Sequence, residues 1–232
     1  MHNKLNPENQ IFYCIPKPNQ AIARIIEPNF ETGPWIAGGS VLQWYQGLNV
    51  DSHDIDIFFA SQSQMETFET ELLNKCQFHH DSGSNKLQKK VKKAKYEALF
   101  SDPPKDIISI QTVYMTENAH TYSVDIGYTN YKVQLIKKYY PKSLEDLLNN
   151  FDISVCRIAT DFLKFRASPE AIVDIKHKRL NFPDGLRPDS LKRIVKYYSY
   201  GFTPDPDLWE QALNVPGVVL KFEATGDYDH AF

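Results

Sequence analysis

The sequence predicts an α+β fold: a mixed β-sheet flanked by helices, with a small helical part at the C-terminus. Three observations carry that expectation. From Trp35 to Cys76, apolar runs alternate with stretches of helical periodicity in the order strand, helix, strand, helix. Between Ile107 and Tyr140 the β-rich pieces IISIQTVYM, TYSVDIGYT and YKVQLIKKYY are separated by turn residues and read as neighbouring antiparallel strands. After Pro169 the texture changes to amphipathic helix, led by LRPDSLKRIVKYYSYGF.

Taken in order, residues 1–32 read as an N-terminal extension in which AIARII is one brief helix or strand. Residues 33–168 form the main domain. It opens on the strand WIA, and the Gly38-Gly39 pair leads into the helix SVLQWYQGL, with Ser40 as N-cap and Gly47 as terminator. DIDIFFA is the next strand. SQSQMETFETELLNKC is a helix capped by Ser61 or Ser63, with Met65, Phe68, Leu72 and Leu73 on one face. The seven lysines between Lys86 and Lys105 form a basic helix or loop, which reads first as a solvated face and second as a phosphate contact.

After the three strands, SLEDLLNN is a helix capped at Ser143, and FDISVCRIATDFL is a strand or a strand-to-helix passage. Residues 169–232 are the small helical region. Its main helix begins near Asp189 or Ser190 and is expected to turn Leu191, Ile194, Val195 and Tyr198 to the core, with Lys192, Arg193 and Lys196 around them.

Bulk properties narrow the function classes. With 42% hydrophobic and 24% charged residues in 232, the chain can build a proper core and is not disordered. A net charge of -3 excludes a surface that is wholly a nucleic-acid footprint, though not a local basic patch. Cys14, Cys76 and Cys156 are odd in number and form no CxxC pair, so they read as free thiols of a reducing compartment. No leader pattern and no apolar run of the ~20 residues that span a bilayer is present, so a cytoplasmic location without a membrane partner is expected. GxSxG, HExxH and Walker motifs are absent, which leaves acyl hydrolysis, zinc peptidase and P-loop chemistry unsupported.

The informative stretch is WIAGGSVLQWYQGLNVDSHDIDIFFA, Trp35 to Ala60. Strand residues two apart share a face, so Asp54 and Asp56 present their carboxylates side by side. Such neighbours repel each other unless a cation intervenes, and a hard divalent ion suits carboxylate and phosphate oxygens. Gly38 and Gly39 allow backbone amides to approach a phosphate, at a helix start that carries partial positive charge. Together these features describe a phosphate cradle followed by a metal clamp, an arrangement suited to two-metal phosphoryl or nucleotidyl transfer.

This order of hG[GS], short helix and hDhDh resembles the nucleotidyltransferase superfamily with the DNA polymerase beta fold. It is most similar to the head domain of tRNA nucleotidyltransferases and poly(A) polymerases. GGSVLQWYQG and DIDIF follow that outline, with Leu42 and Gln43 where the family carries Arg-Asp. EDLLNNFDISVCRIA, Glu145 to Ala159, is similar to a second family segment, with Asp152 and Ser154 at its Asp and Thr and with Asn150 and Phe151 in place of two arginines.

The resemblance implies attack of an acceptor hydroxyl on the α-phosphate of a nucleoside triphosphate such as ATP, with release of pyrophosphate. It implies two Mg2+ (or Mn2+) ions held by Asp54 and Asp56 with a third carboxylate, for which Asp152 is preferred and Asp125 is the alternative. Gln134 is the residue that an alignment could place at that third position. Gly38, Gly39 and Ser40 would hold phosphates, and Lys192, Arg193 and Lys196 would bind the triphosphate or an RNA backbone. His53 could touch a phosphate, although a solvated loop histidine is the plainer reading. The favoured acceptor is an RNA 3′ end, with protein or a small molecule as alternatives. The competing readings are a degenerate nucleotide- or RNA-binding module and a structural protein whose aspartates pair with local lysines.

Overall fold

The computed structural model of the chain describes residues 10–12, 19–47, 54–75, 108–126 and 129–216. Its central sheet has eight strands: β1 (Gln10–Phe12), β2 (Trp35–Ala37), β3 (Asp54–Phe58), β4 (Ile108–Met115), β5 (Ala119–Ile126), β6 (Thr129–Ile136), β7 (Ile158–Thr160) and β8 (Lys164–Ala167). Their spatial order is β1-β8-β7-β2-β3-β6-β5-β4. All neighbours are antiparallel except β3 and β6, which run parallel, so the sheet is mixed as expected. The helices are α1 (Asn19–Ile26), α2 (Gly39–Tyr45), α3 (Gln62–Lys75), α4 (Leu144–Asn149), α5 (Pro169–His177), α6 (Ser190–Ser199) and α7 (Pro206–Leu213). A short parallel pair, β9 (Arg179–Leu180) and β10 (Thr203–Pro204), links the C-terminal helices.

AIARII is helical because Ile22, Ile25 and Ile26 recur at helical spacing, and all three are buried. Strand alternation then builds two apolar layers. Ile36, Ile55, Ile57, Tyr122, Val124, Val133 and Leu135 project to one face of the sheet and form the main core with α1 and α3. Trp35, Ala37 and Ala159 project to the other face and pack against Leu144, Leu147 and Leu148 of α4, with Phe58 alongside.

Ser143 accepts a hydrogen bond from the Asp146 amide and caps α4, and Ser61 accepts one from Gln64 at the start of α3. Gly47 takes φ +73° just past the end of α2, a left-handed position that suits glycine. Two expectations need correction. Gly38 precedes α2 as its cap residue, while Ser40 lies inside the helix, buried, its hydroxyl without a hydrogen-bond partner. In α6 the buried residues are Ser190, Ile194 and Tyr197, whereas Val195 and Tyr198 are exposed. Ile194 is buried and Leu191 packs against the core as expected, so the departure lies at Val195 and Tyr198, in whose place Ser190 and Tyr197 are buried.

Side chains after Pro169 are not a separate cluster: Ile175, Leu180, Ile194, Tyr197, Phe202 and Ala212 join the same core as Ile36 and Val41. Among the described residues no helix is long and apolar enough to cross a membrane.

Candidate active site

Asp54 and Asp56 lie on β3, each partly buried, alternating with the buried Ile55 and Ile57. Strand alternation alone directs both carboxylates to the face that Phe58 continues. The parallel neighbour β6 sets Lys132 opposite Asp54 and Gln134 opposite Asp56. Lys132 Nζ stands 3.0 Å from both oxygens of Asp54, and Gln134 Nε2 donates to Oδ2 at 2.6 Å. Tyr114 of β4 completes this row, its ring centroid 5.8 Å from Lys132 Nζ.

The electrostatics follow from this crowding. Burial, then the charge of Asp54, push the Asp56 carboxyl up to about 7, against the attraction of Lys196 and Lys132. Burial works against the charge of Lys132, but its hydrogen bond to Asp54 and the Asp54 charge outweigh that and hold the ammonium above its usual range. Lys196, on α6, therefore belongs to the surroundings of the aspartate pair. Lys192 is exposed on the same helix, and Arg193 is committed elsewhere.

The glycine pair sits beside the aspartates because β2 pairs antiparallel with β3, Trp35 opposite Phe58 and Ile36 opposite Ile57. Continuing that register brings Ala37 and Gly38 alongside Asp56 and Ile55. Gly38 needs its freedom: its φ is +97°, and a Cβ there would meet the Phe151 ring at 3.0 Å. At Gly39 a Cβ would stand 2.7 Å from the Tyr197 hydroxyl. Tyr197 is buried and accepts a hydrogen bond of 2.8 Å from Cys156, so α6 presses directly on the turn. Burial pushes the Cys156 thiol up to about 12, which makes it a packing group and not a nucleophile.

The third carboxylate is not gathered with the pair. Asp152, 3% exposed in its side chain, receives Arg193 Nη1 at 2.6 Å, and Arg193 also pairs with Asp189 at 3.2 Å. Its expected role as a metal ligand gives way to a buried ion pair that ties α6 to the segment after α4. Asp125 shares the face of Asp54 but lies on β5, with β6 between, where it accepts from Asn130 at 2.7 Å. Two strand spacings across and two residues along put it about 12 Å away. Among the described residues no three His, Cys, Asp or Glu side chains form a group that could hold a metal ion. Asp54 and Asp56 are thus the acidic donors that could hold one, and the buried, unpartnered Ser40 hydroxyl is a polar group on the nearby turn.

The departures from the family motif have structural counterparts. Leu42 is fully buried in the core, and buried Gln43 hydrogen-bonds Tyr200 at the end of α6. Phe151 packs edge-on against Phe58 at 5.7 Å. Buried Arg157 holds the Phe151 carbonyl at 2.9 Å and Asp184 at 2.7 Å. Sequence reasoning missed Lys132 and Tyr114. The signal for Lys132 was available, since YKVQLI alternates and places Lys132 and Gln134 on one face by the argument applied to Asp54 and Asp56. His53 and the Lys86 to Lys105 run lie outside the described residues.

Comparison with known proteins adds a family and a fold. The model of the Gad2 family, described as Gabija anti-defense 2 family protein, matches residues 16–178, well over half of the chain. No curated protein matches by sequence. Similar solved structures include a CCA-adding enzyme with CTP, 12% identical with a TM-score of 0.52, covering 86% of this chain and 44% of that one. A tRNA-processing enzyme in its apo form I is 18% identical with a TM-score of 0.49, covering 88% and 49%. A Thermotoga maritima CCA-adding enzyme complexed with tRNA is 12% identical with a TM-score of 0.48, covering 86% and 42%. The chain spans less than half the length of these proteins. What the first of them shares with it is the nucleotidyltransferase-like fold, a mixed sheet flanked by helices.

Proposed function

The chain belongs to the Gabija anti-defense 2 family, and from that premise and the geometry of the site we propose that it is a metal-dependent nucleotidyltransferase. It moves a nucleoside monophosphate from a nucleoside triphosphate to an acceptor hydroxyl. The observation that carries this reading is the placement of Asp54 and Asp56 on one face of β3, beside the Gly38-Gly39 turn. The acceptor oxygen attacks the α-phosphorus, and the bond to the bridging oxygen breaks with loss of pyrophosphate. A divalent ion held by Asp54 and Asp56 supplies Lewis-acid stabilisation of the charge that develops on the phosphoryl oxygens. Gly38, Gly39 and Ser40 orient the triphosphate, and Lys196 adds positive charge from α6. The CTP named for the similar CCA-adding enzyme supports a nucleotide donor, and the acceptor we favour is an RNA 3′ end. The family's description supports an anti-defence role for the transfer.

A second reading has its own observation. Lys132 and Gln134 occupy the oxygens of Asp54, and among the described residues no third carboxylate joins the pair, which favours a nucleotide-binding module that has lost turnover. Incubation with each α-labelled nucleoside triphosphate, Mg2+ or Mn2+ and total RNA or protein separates the two. Transfer is expected in the native chain, with a loss of at least ~100-fold in Asp54→Ala/Asp56→Ala, the scale set by removing groups that stabilise transition-state charge. Transfer that survives the double substitution would sink the proposed mechanism. Metal-dependent nucleotide binding without transfer to any acceptor would leave the binding module.

A further inference from the structure

We propose that Lys132 stands in for the second divalent ion at this site, so that the chain binds its nucleotide with one such ion. The inference rests on the nucleotide-binding reading above. Two carboxylates alone, on adjacent same-face positions of β3, repel each other and call for positive charge between or beside them. The chain supplies part of that charge itself, since the Lys132 ammonium lies 3.0 Å from Oδ1 and 3.0 Å from Oδ2 of Asp54. An ammonium astride both oxygens takes the position that a bridging cation would need on that side.

Neighbouring groups hold it there. Gln134 presents an amide donor to Asp54 at 2.6 Å, which turns the strand position facing Asp56 from an ion ligand into one more hydrogen-bond donor. Tyr114 sets its ring 5.8 Å from the ammonium, on the side away from β3. Asp125 lies two strands away from Asp54 and Asp152 pairs with Arg193, so neither balances a further doubly charged ion there. A second ion beside Lys132 would meet a like charge at close range, with no further carboxylate among the described residues to offset it. The free side of Asp56, the Gly38-Gly39 turn and the triphosphate oxygens remain for one ion.

The test counts Mn2+ bound per chain by electron paramagnetic resonance, with a saturating non-hydrolysable nucleoside triphosphate analogue. The expected result is one Mn2+ in the native chain and two in Lys132→Met/Gln134→Asp, which removes the ammonium and adds a carboxylate. Lys132→Met alone should bind its Mn2+ about tenfold more tightly, the order of one charge-assisted hydrogen bond no longer competing for Asp54. Two ions in the native chain, or one in a double variant with native circular dichroism, overturns the proposal. Should the double variant not fold, the native count and the Lys132→Met affinity decide, and an unchanged affinity overturns it. One Mn2+ with nucleotide but no transfer to any acceptor upholds the inference while the catalytic reading falls. Failure to bind either Mn2+ or nucleotide removes both.

Discussion

At Gly39 the space for a side chain is already taken, because a Cβ there would stand 2.7 Å from the Tyr197 hydroxyl. Gly39→Ala should cost about 1–3 kcal/mol, the usual scale of overpacking, and Tyr197→Phe should return part of it by removing the clashing oxygen. Urea midpoints of the two single variants and the double would check this, and strict additivity would show that the two side chains do not meet. Asp56 makes a pH prediction. Its carboxyl is raised from 3.8 to about 7, by burial first and by Asp54 second. Between those values the folded chain keeps a proton that the unfolded chain has lost, so the contribution is whole below the lower value and is lost as pH climbs to about 7. In metal-free buffer the native chain should lose up to ~4 kcal/mol over that window, and Asp56→Asn should flatten the slope. Equal slopes in the two proteins would mean that Asp56 does not carry the effect. The aspartate pair was legible in the sequence because a two-residue period needs no tertiary knowledge. The fate of Asp152 was not, since its partner Arg193 is far along the chain and only packing joins them.

Among the elements, α6 decides most about the site, contributing Tyr197 against the glycine turn, Lys196 near Asp56 and Arg193 to Asp152. Its helical character was plain from LKRIVKYYS, but its buried face was not. The pattern admits both the Leu191, Ile194, Val195, Tyr198 face and the Ser190, Ile194, Tyr197 stripe that is observed, and hydrophobicity alone rejects the one that begins with serine. The strands β4, β5 and β6 were legible as antiparallel neighbours because short connections favour pairing of consecutive strands. The ion pair from α6 offers a test at this scale. Removing Arg193 leaves a buried carboxylate uncompensated, so Arg193→Ala should cost about 2–3 kcal/mol, toward the low end for a buried pair because the arginine is 41% exposed. Adding Asp152→Asn should recover more than half of that loss. A double variant as unstable as the sum of the singles would show that the two groups do not act as a pair.

On the scale of the whole molecule, the pairing least accessible to sequence reasoning is the parallel contact of β3 with β6, strands far apart in the chain. That contact brings Lys132 and Gln134 to Asp54 and Asp56, and so determines the character of the site. Its consequence is that the site depends on elements from both ends of the chain. β1 pairs with β8 at one edge of the sheet, and the helices after Pro169 complete the core under the glycine turn. Residues 1–168 alone would therefore lose Ile175, Leu180, Ile194, Tyr197 and Phe202 from the main core. At ~1.5–3 kcal/mol for each buried side chain, that loss is comparable to the ~5–15 kcal/mol by which folded domains are stable. The truncated chain should show no cooperative urea transition, should bind a hydrophobic dye and should fail to bind nucleotide. A sharp transition from residues 1–168, with nucleotide binding retained, would instead mean that the C-terminal helices are an independent addition. Tyr197 and Lys196 would then be dispensable to the turn and the aspartates that they now face.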